Sequence, residues 1–170
     1  MDRVKPALVQ KISKSETEKW ISEYIVNDHP IGRTGEVEFF DHPSWCLSDE
    51  LIAGFNEKKL FIWDENGKVL KRKGTLAGTT QCLIESGKFY QAGKMPGETD
   101  VFFIQTRNLK SWKEEAFFTF SVKSQSYPGK FTSEDILLWV WPIEKDFLVA
   151  LNGPDGYRIA KFAPLSKDEL

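Results

Sequence analysis

Short apolar segments, separated by turn-forming residues, recur about every ten residues along most of this chain. The clearest pair is 59–63 and 68–72, which flank Asn66 and Gly67, a dipeptide that tolerates the positive φ of a tight hairpin turn. In 116–123, apolar and polar residues alternate with the period of two that is typical of a half-buried strand. The pattern predicts a mainly β protein, an antiparallel β-barrel or β-sandwich of about ten short strands. The predicted strands are 36–40, 59–63, 68–72, 80–84, 88–91, 101–106, 116–123, 137–141, 147–151 and 157–162.

Two stretches predict short helices instead. Ser15 and Glu18 have the spacing of a capping box, in which each side chain caps the other residue's backbone N–H at a helix start. Apolar residues at positions 20, 21, 24 and 25 then form a helical stripe that ends near Val26. A second short helix is predicted for 49–55. With one or two short helices added to the strands, the chain counts as α+β. We expect a single domain, 1–170, in which a helical N-terminal segment, 1–30, packs on the β-domain.

The charge of the chain is nearly balanced. It has 23 Lys and Arg against 25 Asp and Glu, which gives a formal net charge of −2. A dedicated nucleic-acid binder carries a basic surface, so nucleic acid is an improbable partner on this count. The apolar fraction of 41% is that of an ordinary globular domain, and no apolar run approaches the roughly 18 residues of a membrane span. We expect a soluble protein without membrane insertion.

The location of the protein has two interpretations. The N-terminal residues lack a continuous apolar signal segment, which predicts a cytoplasmic protein. The chain nevertheless ends in Lys167, Asp168, Glu169 and Leu170, the retention address of the endoplasmic reticulum lumen. That address has meaning only if a signal peptide was removed before residue 1. The two cysteines are free thiols or one bridge, and the sequence leaves this open.

Both histidines lie in one short stretch that also holds a cysteine and several carboxylates. His29 and His42 are candidate catalytic acid–base groups, with Asp41 as a supporting carboxylate. His42 and Cys46 are four residues apart and are candidate ligands of a divalent metal, the cofactor of this alternative. The alternative function is therefore a small metal- or histidine-dependent hydrolytic enzyme. In the competing interpretation, the Asp-His-Pro sequences form turns, and there is no cofactor.

Aromatic residues are the one compositional surplus, at 14% of the chain. In 137–141 both strand faces are apolar, so this strand is either central and covered on both sides or exposes a binding face. The surplus predicts a non-enzymatic binding module that uses an aromatic surface or an apolar pocket. Its partner would be a protein or a small apolar ligand. The candidate binding residues are Arg33, Trp45, Trp63, Trp112, Trp139 and Trp141. A weaker prediction places single-stranded nucleic acid against Arg107, Lys110, Trp112 and Lys113.

Overall fold

The computed structural model describes residues 4–36, 38–41, 43–98, 101–121, 136–153 and 156–164. These residues form antiparallel strands and one 3-10 helix, Glu38–Phe40, and they contain no α-helix. The prediction of a mainly β protein is confirmed. The described strands are β1 (Leu8–Lys14), β2 (Trp20–Val26), β3 (His29–Arg33), β4 (Ser44–Leu47), β5 (Ile52–Phe55), β6 (Lys59–Trp63), β7 (Val69–Gly74), β8 (Thr79–Glu85), β9 (Lys88–Lys94), β10 (Val101–Asn108), β11 (Glu114–Ser121), β12 (Ile136–Ile143), β13 (Asp146–Gly153) and β14 (Gly156–Phe162).

The strands form four sheets, and each sheet joins strands that follow one another in the chain. The orders are β1-β2-β3, β4-β5-β6-β7, β8-β9-β10-β11 and β12-β13-β14. Every neighbouring pair is antiparallel, as short hairpin connections require. None of these four sheets closes on itself within the described residues, so the barrel alternative of the prediction is wrong, while the sandwich alternative stays a prediction. What is confirmed of the fold is a set of open antiparallel sheets.

The chain divides into two compact units, Met1–Leu76 and Ala77–Leu170. In the first unit, sheets β1–β3 and β4–β7 share a core of aromatic and branched side chains. Val26, Ile52 and Trp63 lie in it with at most 2% of their surface exposed. In the second unit, sheets β8–β11 and β12–β14 share a core that includes Ile104 and Val149, which are equally buried. A single domain over 1–170 stays a prediction.

The predicted N-terminal helix is wrong, because β1 and β2 form a hairpin along their whole length. Ser15 caps a turn instead of a helix: its Oγ accepts a hydrogen bond from the Lys19 N–H at 3.1 Å, and its own N–H donates to the Lys19 carbonyl at 2.8 Å. Glu18 adopts a positive φ of 61°, which is incompatible with a continuing helix. A serine side chain can make the same hydrogen bond in a turn and at a helix start, so the capping box could not distinguish them.

Two further local predictions are wrong for related reasons. The helix expected over 49–55 is a turn followed by β5, in which all four residues are buried. The strand expected over 36–40 contains the 3-10 helix Glu38–Phe40. Phe39 and Phe40 are adjacent and both buried in the same core, at 1% and 6% exposure. A strand would direct these two rings to opposite faces, whereas the tighter helical turn lets both enter one core.

Candidate functional site

The β12–β14 sheet has one face in the core of its unit. Val140, Phe147, Val149 and Leu151 point to that inner face, and none is more than 7% exposed. They alternate along their strands with residues of the opposite face, as the pleat of a strand requires. In β12 and β13, apolar residues occur at both odd and even positions of the strand, so the inner face does not account for all of them.

The opposite face of the same sheet is also apolar. Strand register shows which side chains lie side by side on it. The rows across the sheet are Asn152 with Tyr157; Trp139 with Ala150 and Ile159; Trp141 with Leu148 and Lys161; and Ile143 with Asp146. We call the apolar members of these rows the aromatic face: Trp139, Trp141, Ile143, Leu148, Ala150, Tyr157 and Ile159. The outer face of an antiparallel sheet is ordinarily polar, so this composition is unusual.

Side-chain exposure distinguishes this face from a second core. Tyr157 is 79% exposed, Ile159 is 61% exposed, and Trp141 and Ile143 are each 41% exposed. Single exposed apolar residues are common on protein surfaces, but a contiguous group on one sheet face marks a site of interaction. The expectation that Trp139 and Trp141 lie in a strand covered on both sides does not fit these values for Trp141.

Charge is nearly absent from the aromatic face. At its margin, the Lys161 Nζ lies 2.7 Å from the Asp146 Oδ2, so the two charges neutralise each other. The hydrogen bond to Asp146, together with its negative charge, raises the pKa of Lys161. Lys161 therefore keeps its positive charge through the neutral range. The surface beside it offers a partner apolar contact without a net electrostatic attraction.

The two tryptophans of β12 contact each other on this face. Their ring centroids are 5.5 Å apart, with the planes inclined at 56°. The Trp139 Nε1 is buried and has no hydrogen-bond partner among the described residues. A buried donor without an acceptor lowers the free energy of unfolding by about 1–3 kcal/mol. Such unpaired groups are uncommon in folded proteins.

Trp45 and Trp63 serve a different purpose in the first unit. Their ring centroids lie 5.7 Å apart, and Trp63 also stacks on Phe61 at 5.7 Å and 16°. Trp63 is 2% exposed. The Trp45 ring lies across Gly54 on the paired strand, where an added Cβ would come within 2.7 Å of it. These contacts describe core packing, and whether Trp45 also contacts a ligand stays a prediction.

Trp112 closes the β10–β11 hairpin of the second unit. Its carbonyl accepts a hydrogen bond from Arg107 Nη1 at 3.1 Å, and the guanidinium carbon lies 5.8 Å from the centre of the indole ring. Arg107 Nε also donates to Gln105 Oε1 at 3.2 Å. The Asn108 Oδ1 accepts hydrogen bonds from two N–H groups in the loop between these strands. Arg107 and Trp112 thus have internal structural roles, and nucleic-acid binding there stays a prediction.

The polar candidates of the first unit are less informative. Arg33 Nε forms an ion pair with Glu36 Oε1 at 2.7 Å, and both side chains are more than half exposed. His29 is an exposed residue of β3. The Asp41 Oδ1 accepts a hydrogen bond from the Gly35 N–H at 3.1 Å, so this carboxylate holds a turn. His42 lies outside the described residues, and the predicted pairing of the two histidines therefore stays untested.

The metal prediction also stays open. Among the described residues, no three His, Cys, Asp or Glu side chains are grouped closely enough to hold a metal ion. Neither cysteine is a free thiol; both Cys46 and Cys82 are disulfide-bonded. A thiolate is the sulfur species that binds metals. Metal binding at Cys46 would thus require prior reduction, in addition to a contribution from His42.

Sequence reasoning identified two members of the aromatic face and missed the rest. Trp139 and Trp141 were predicted binding residues, whereas Tyr157, Ile159 and Ile143 were not. The signal was present, because Tyr157, Ile159 and Lys161 alternate with residues of the inner face along β14. Pairing of that strand with β13 across their connecting turn aligns Ile159 with Ala150 and hence with Trp139.

Comparison with known proteins assigns no family. No family model matches the chain, and no curated protein matches it. A solved structure with similar coordinates is the extracellular domain of a B. thetaiotaomicron protein whose description names a one-component system. The TM-score is 0.41 at 9% sequence identity, over 97% of this chain and 23% of the other. The chain therefore spans about a quarter of the length of that solved chain. In the described residues, no helix is long and apolar enough to cross a membrane.

Proposed function

We propose that this chain is a non-enzymatic binding module whose aromatic face docks a protein partner. The observation that carries the proposal is the exposure of four large apolar side chains on one sheet face: Tyr157 and Ile159 on β14, and Trp141 and Ile143 on β12. Transferring such side chains from water to a partner surface is the main favourable contribution to protein association. Tryptophan and tyrosine are also the residue types most enriched among residues that dominate binding energy.

The size of the exposed group supports a modest interface. The four exposed fractions correspond to about 450 Å² of side-chain surface, if a fully exposed aromatic side chain presents about 200 Å². A stable globular interface buries about 800 Å² on each partner. The aromatic face therefore suits a transient partner or a short segment of one, and it is small for a permanent dimer.

The shape of the site favours a macromolecule over a small enclosed ligand. A sheet face is open on one side, and a small apolar ligand usually has about 70–90% of its surface buried in a pocket. A partner chain brings its own apolar surface and covers the rings from above. For this reason the protein partner is preferred to the small apolar ligand of the sequence-based expectation.

The test is a selection from a random twelve-residue peptide library displayed on phage, with the full chain immobilised. We expect the selected peptides to bind the wild-type chain and to lose at least tenfold in affinity for the variants Trp141→Ala and Tyr157→Ser. The matched control is Trp20→Ala, because Trp20 is 69% exposed but lies on β2 in the other unit. The control should bind the selected peptides as wild type does.

Two results would contradict the proposal. One is a selection that yields no peptide above background. The other is a set of peptides whose affinity is the same for the wild type, Trp141→Ala and Tyr157→Ser. Circular dichroism and thermal unfolding of each variant separate loss of binding from loss of fold. Tyr157→Ser decides the matter if Trp141→Ala does not fold, because only about a fifth of the Tyr157 surface is buried.

We infer in addition that the protein works in an oxidising compartment. The supporting observation is that Cys46 and Cys82 are both buried and both disulfide-bonded. Disulfides persist in secreted and lumenal proteins and are rare in the cytosol. The test is alkylation of the protein in its source cells before lysis, followed by unfolding and mass measurement. We expect no alkylated cysteine without prior reduction and two after it; two without reduction would restore the cytoplasmic prediction.

A further inference from the structure

The edge strand β7 of the first unit carries a concentration of positive charge. Four of the six residues from 68 to 73 are lysine or arginine, in a chain whose net charge is −2. Arg72 and Lys73 are exposed, and so is Lys59 on the paired strand β6. Among the described residues, no carboxylate lies within ion-pair distance of these three side chains. The edge therefore holds cations that the described part of the chain does not neutralise.

The strand register distributes the cations over both faces of the sheet. Arg72 pairs with Phe61, and Lys59 lies two residues before Phe61, so the two cations share one face. Lys71 and Lys73 flank Arg72 in the strand and therefore lie on the opposite face. An extended chain paired with β7 would also direct successive side chains to alternate faces. A rod-shaped polyanion lying on one face would reach only the cations of that face.

The backbone of β7 is open on the side away from β6. The Thr75 N–H donates to the Lys58 carbonyl at 3.1 Å, which makes these residues a hydrogen-bonded pair. Such pairs recur at every second residue of an antiparallel ladder, so Arg72 and Gly74 direct their N–H and C=O groups outward. No strand of the described residues occupies that side of β7. The edge thus offers backbone donors and acceptors to an added strand.

Arg72 is held in position by an aromatic ring. Its guanidinium carbon lies 5.7 Å from the centre of the Phe61 ring, and Phe61 stacks on Trp63. Within the described part of the chain, the guanidinium N–H groups have no hydrogen-bond partner. A guanidinium that is already packed on a ring can bind a carboxylate through two parallel hydrogen bonds with little further loss of side-chain entropy.

We propose that the β7 edge binds an acidic, extended segment of a partner protein, which joins the four-stranded sheet as an additional strand. Carboxylates on one face of the added strand lie beside Arg72 and Lys59, and those on the other face lie beside Lys73. Lysine on an edge strand deters pairing with a second copy of the same chain, because like charges would meet. The same charges favour a strand of opposite sign. This surface lies in the first unit, and the inference does not rest on the aromatic face.

The experiment measures binding of a capped nine-residue peptide, Thr-Val-Thr-Glu-Asp-Glu-Thr-Val-Thr, to the full chain by calorimetry. The matched peptide has glutamine, asparagine and glutamine in place of the three acids. We expect the acidic peptide to bind about tenfold more tightly than the neutral one. Its Kd should rise about tenfold between 50 and 300 mM sodium chloride, because salt screens exposed charges.

Two pairs of variants separate strand pairing from charge. Gly74→Pro removes an outward N–H and keeps every charge, whereas Gly74→Ala keeps the N–H as well. Both substitutions fit, since the φ of Gly74 lies outside the left-handed region and an added Cβ would meet only the Lys58 carbonyl oxygen, at 3.9 Å. Gly74→Pro should raise the Kd of the acidic peptide about tenfold, and Gly74→Ala should leave it unchanged.

The second pair changes the net charge equally at two places. Lys73→Glu should raise the Kd of the acidic peptide about tenfold, because a like charge replaces an opposite one. Lys19→Glu is the control, since Lys19 is exposed in the connection between β1 and β2 and should leave the Kd unchanged. Urea unfolding of each variant shows that its fold is intact. The exposed Lys73→Glu decides the matter if Gly74→Pro does not fold.

Three results would overturn this proposal. One is equal affinity for the acidic and neutral peptides, or no binding of either. Another is a folded Gly74→Pro variant with the affinity of the wild type, because binding would then need charge and not strand pairing. The third is an equal loss of affinity in Lys73→Glu and Lys19→Glu. None of these results bears on the aromatic face, whose variants lie in the second unit.

Discussion

Replacing Tyr157 with serine should cost much less stability than replacing Leu151 with alanine. The two residues lie only six positions apart in the β13–β14 hairpin, but on opposite faces of the sheet. Tyr157 is 79% exposed, whereas Leu151 is 1% exposed and belongs to the core of its unit. The comparison therefore measures whether the aromatic face is open to solvent.

The expected magnitudes follow from these exposed fractions. About a fifth of the Tyr157 side chain is buried, or about 40 Å², and at about 25 cal/mol per Å² its removal costs about 1 kcal/mol. Truncation of a fully buried leucine removes its transfer free energy and leaves a cavity, which costs about 3–4 kcal/mol. The two variants should differ by at least 2 kcal/mol in the free energy of unfolding.

Urea unfolding at 25 °C, followed by far-ultraviolet circular dichroism, gives the measurement. With a slope of about 2 kcal/mol/M, Leu151→Ala should lower the midpoint by about 1.5–2 M and Tyr157→Ser by about 0.5 M. The slope itself should stay constant. If Tyr157→Ser lowers the midpoint as far as Leu151→Ala does, the tyrosine is packed against other parts of the chain. The argument for an open binding face would then be refuted.

Three further predictions concern other parts of the chain. Gly93→Ala should destabilise by about 3 kcal/mol, because its Cβ would overlap the carbonyl oxygen of Gly78, the residue directly before β8. Gly87→Ala should cost about 1 kcal/mol, for its positive φ alone, and urea midpoints test this order. Arg107→Met should cost about 1–3 kcal/mol by the same assay, since two hydrogen bonds within the β10–β11 hairpin are lost; an unchanged midpoint would contradict this. Burial raises the pKa of both Tyr24 and Tyr90, so their contribution to stability is complete below about pH 10 and is lost as the pH rises through the raised values. Tyrosinate absorbance should contain components from Tyr24 and Tyr90 that ionise above about pH 10 and disappear in Tyr24→Phe and Tyr90→Phe; ionisation of either residue at its ordinary value would contradict the burial.

Strands could be predicted where turn-forming residues flank a segment in which apolar and polar residues alternate. They could not be predicted where a local signal, such as a capping serine, fits both a turn and a helix. The hairpin around Asn66 and Gly67 is present as expected, with Asp64 Oδ1 accepting the Asn66 and Lys68 N–H groups. The β1–β2 hairpin was not predicted, because Ser15 caps a turn with the same oxygen that would cap a helix. Pairing of β2 with both β1 and β3 then outweighs any local preference for helix.

The candidate site was predictable only in part. The apolar alternation of 137–141 identified Trp139 and Trp141, and composition indicated that some rings exceed what a core absorbs. Which rings are in excess depends on long-range register, which a single sequence specifies weakly. Trp45 and Trp63 were predicted by the same composition argument; Trp45 packs on Trp63, which stacks on Phe61, and a binding role for either stays a prediction.

The β12–β14 sheet protects its edge against pairing with other chains while leaving the aromatic face exposed. β12 is an edge strand of this sheet and contains Pro142, which cannot donate to a further strand. On β14, Lys161 faces outward beside its ion-pair partner, whereas Tyr157 and Ile159 face outward without charge. Lysine in place of Tyr157 and Ile159 would fit the same pleat, and it would remove the risk of aggregation that exposed apolar side chains create. A sheet that carries edge protection yet keeps large apolar side chains on its open face has the properties expected of a surface that docks a partner protein.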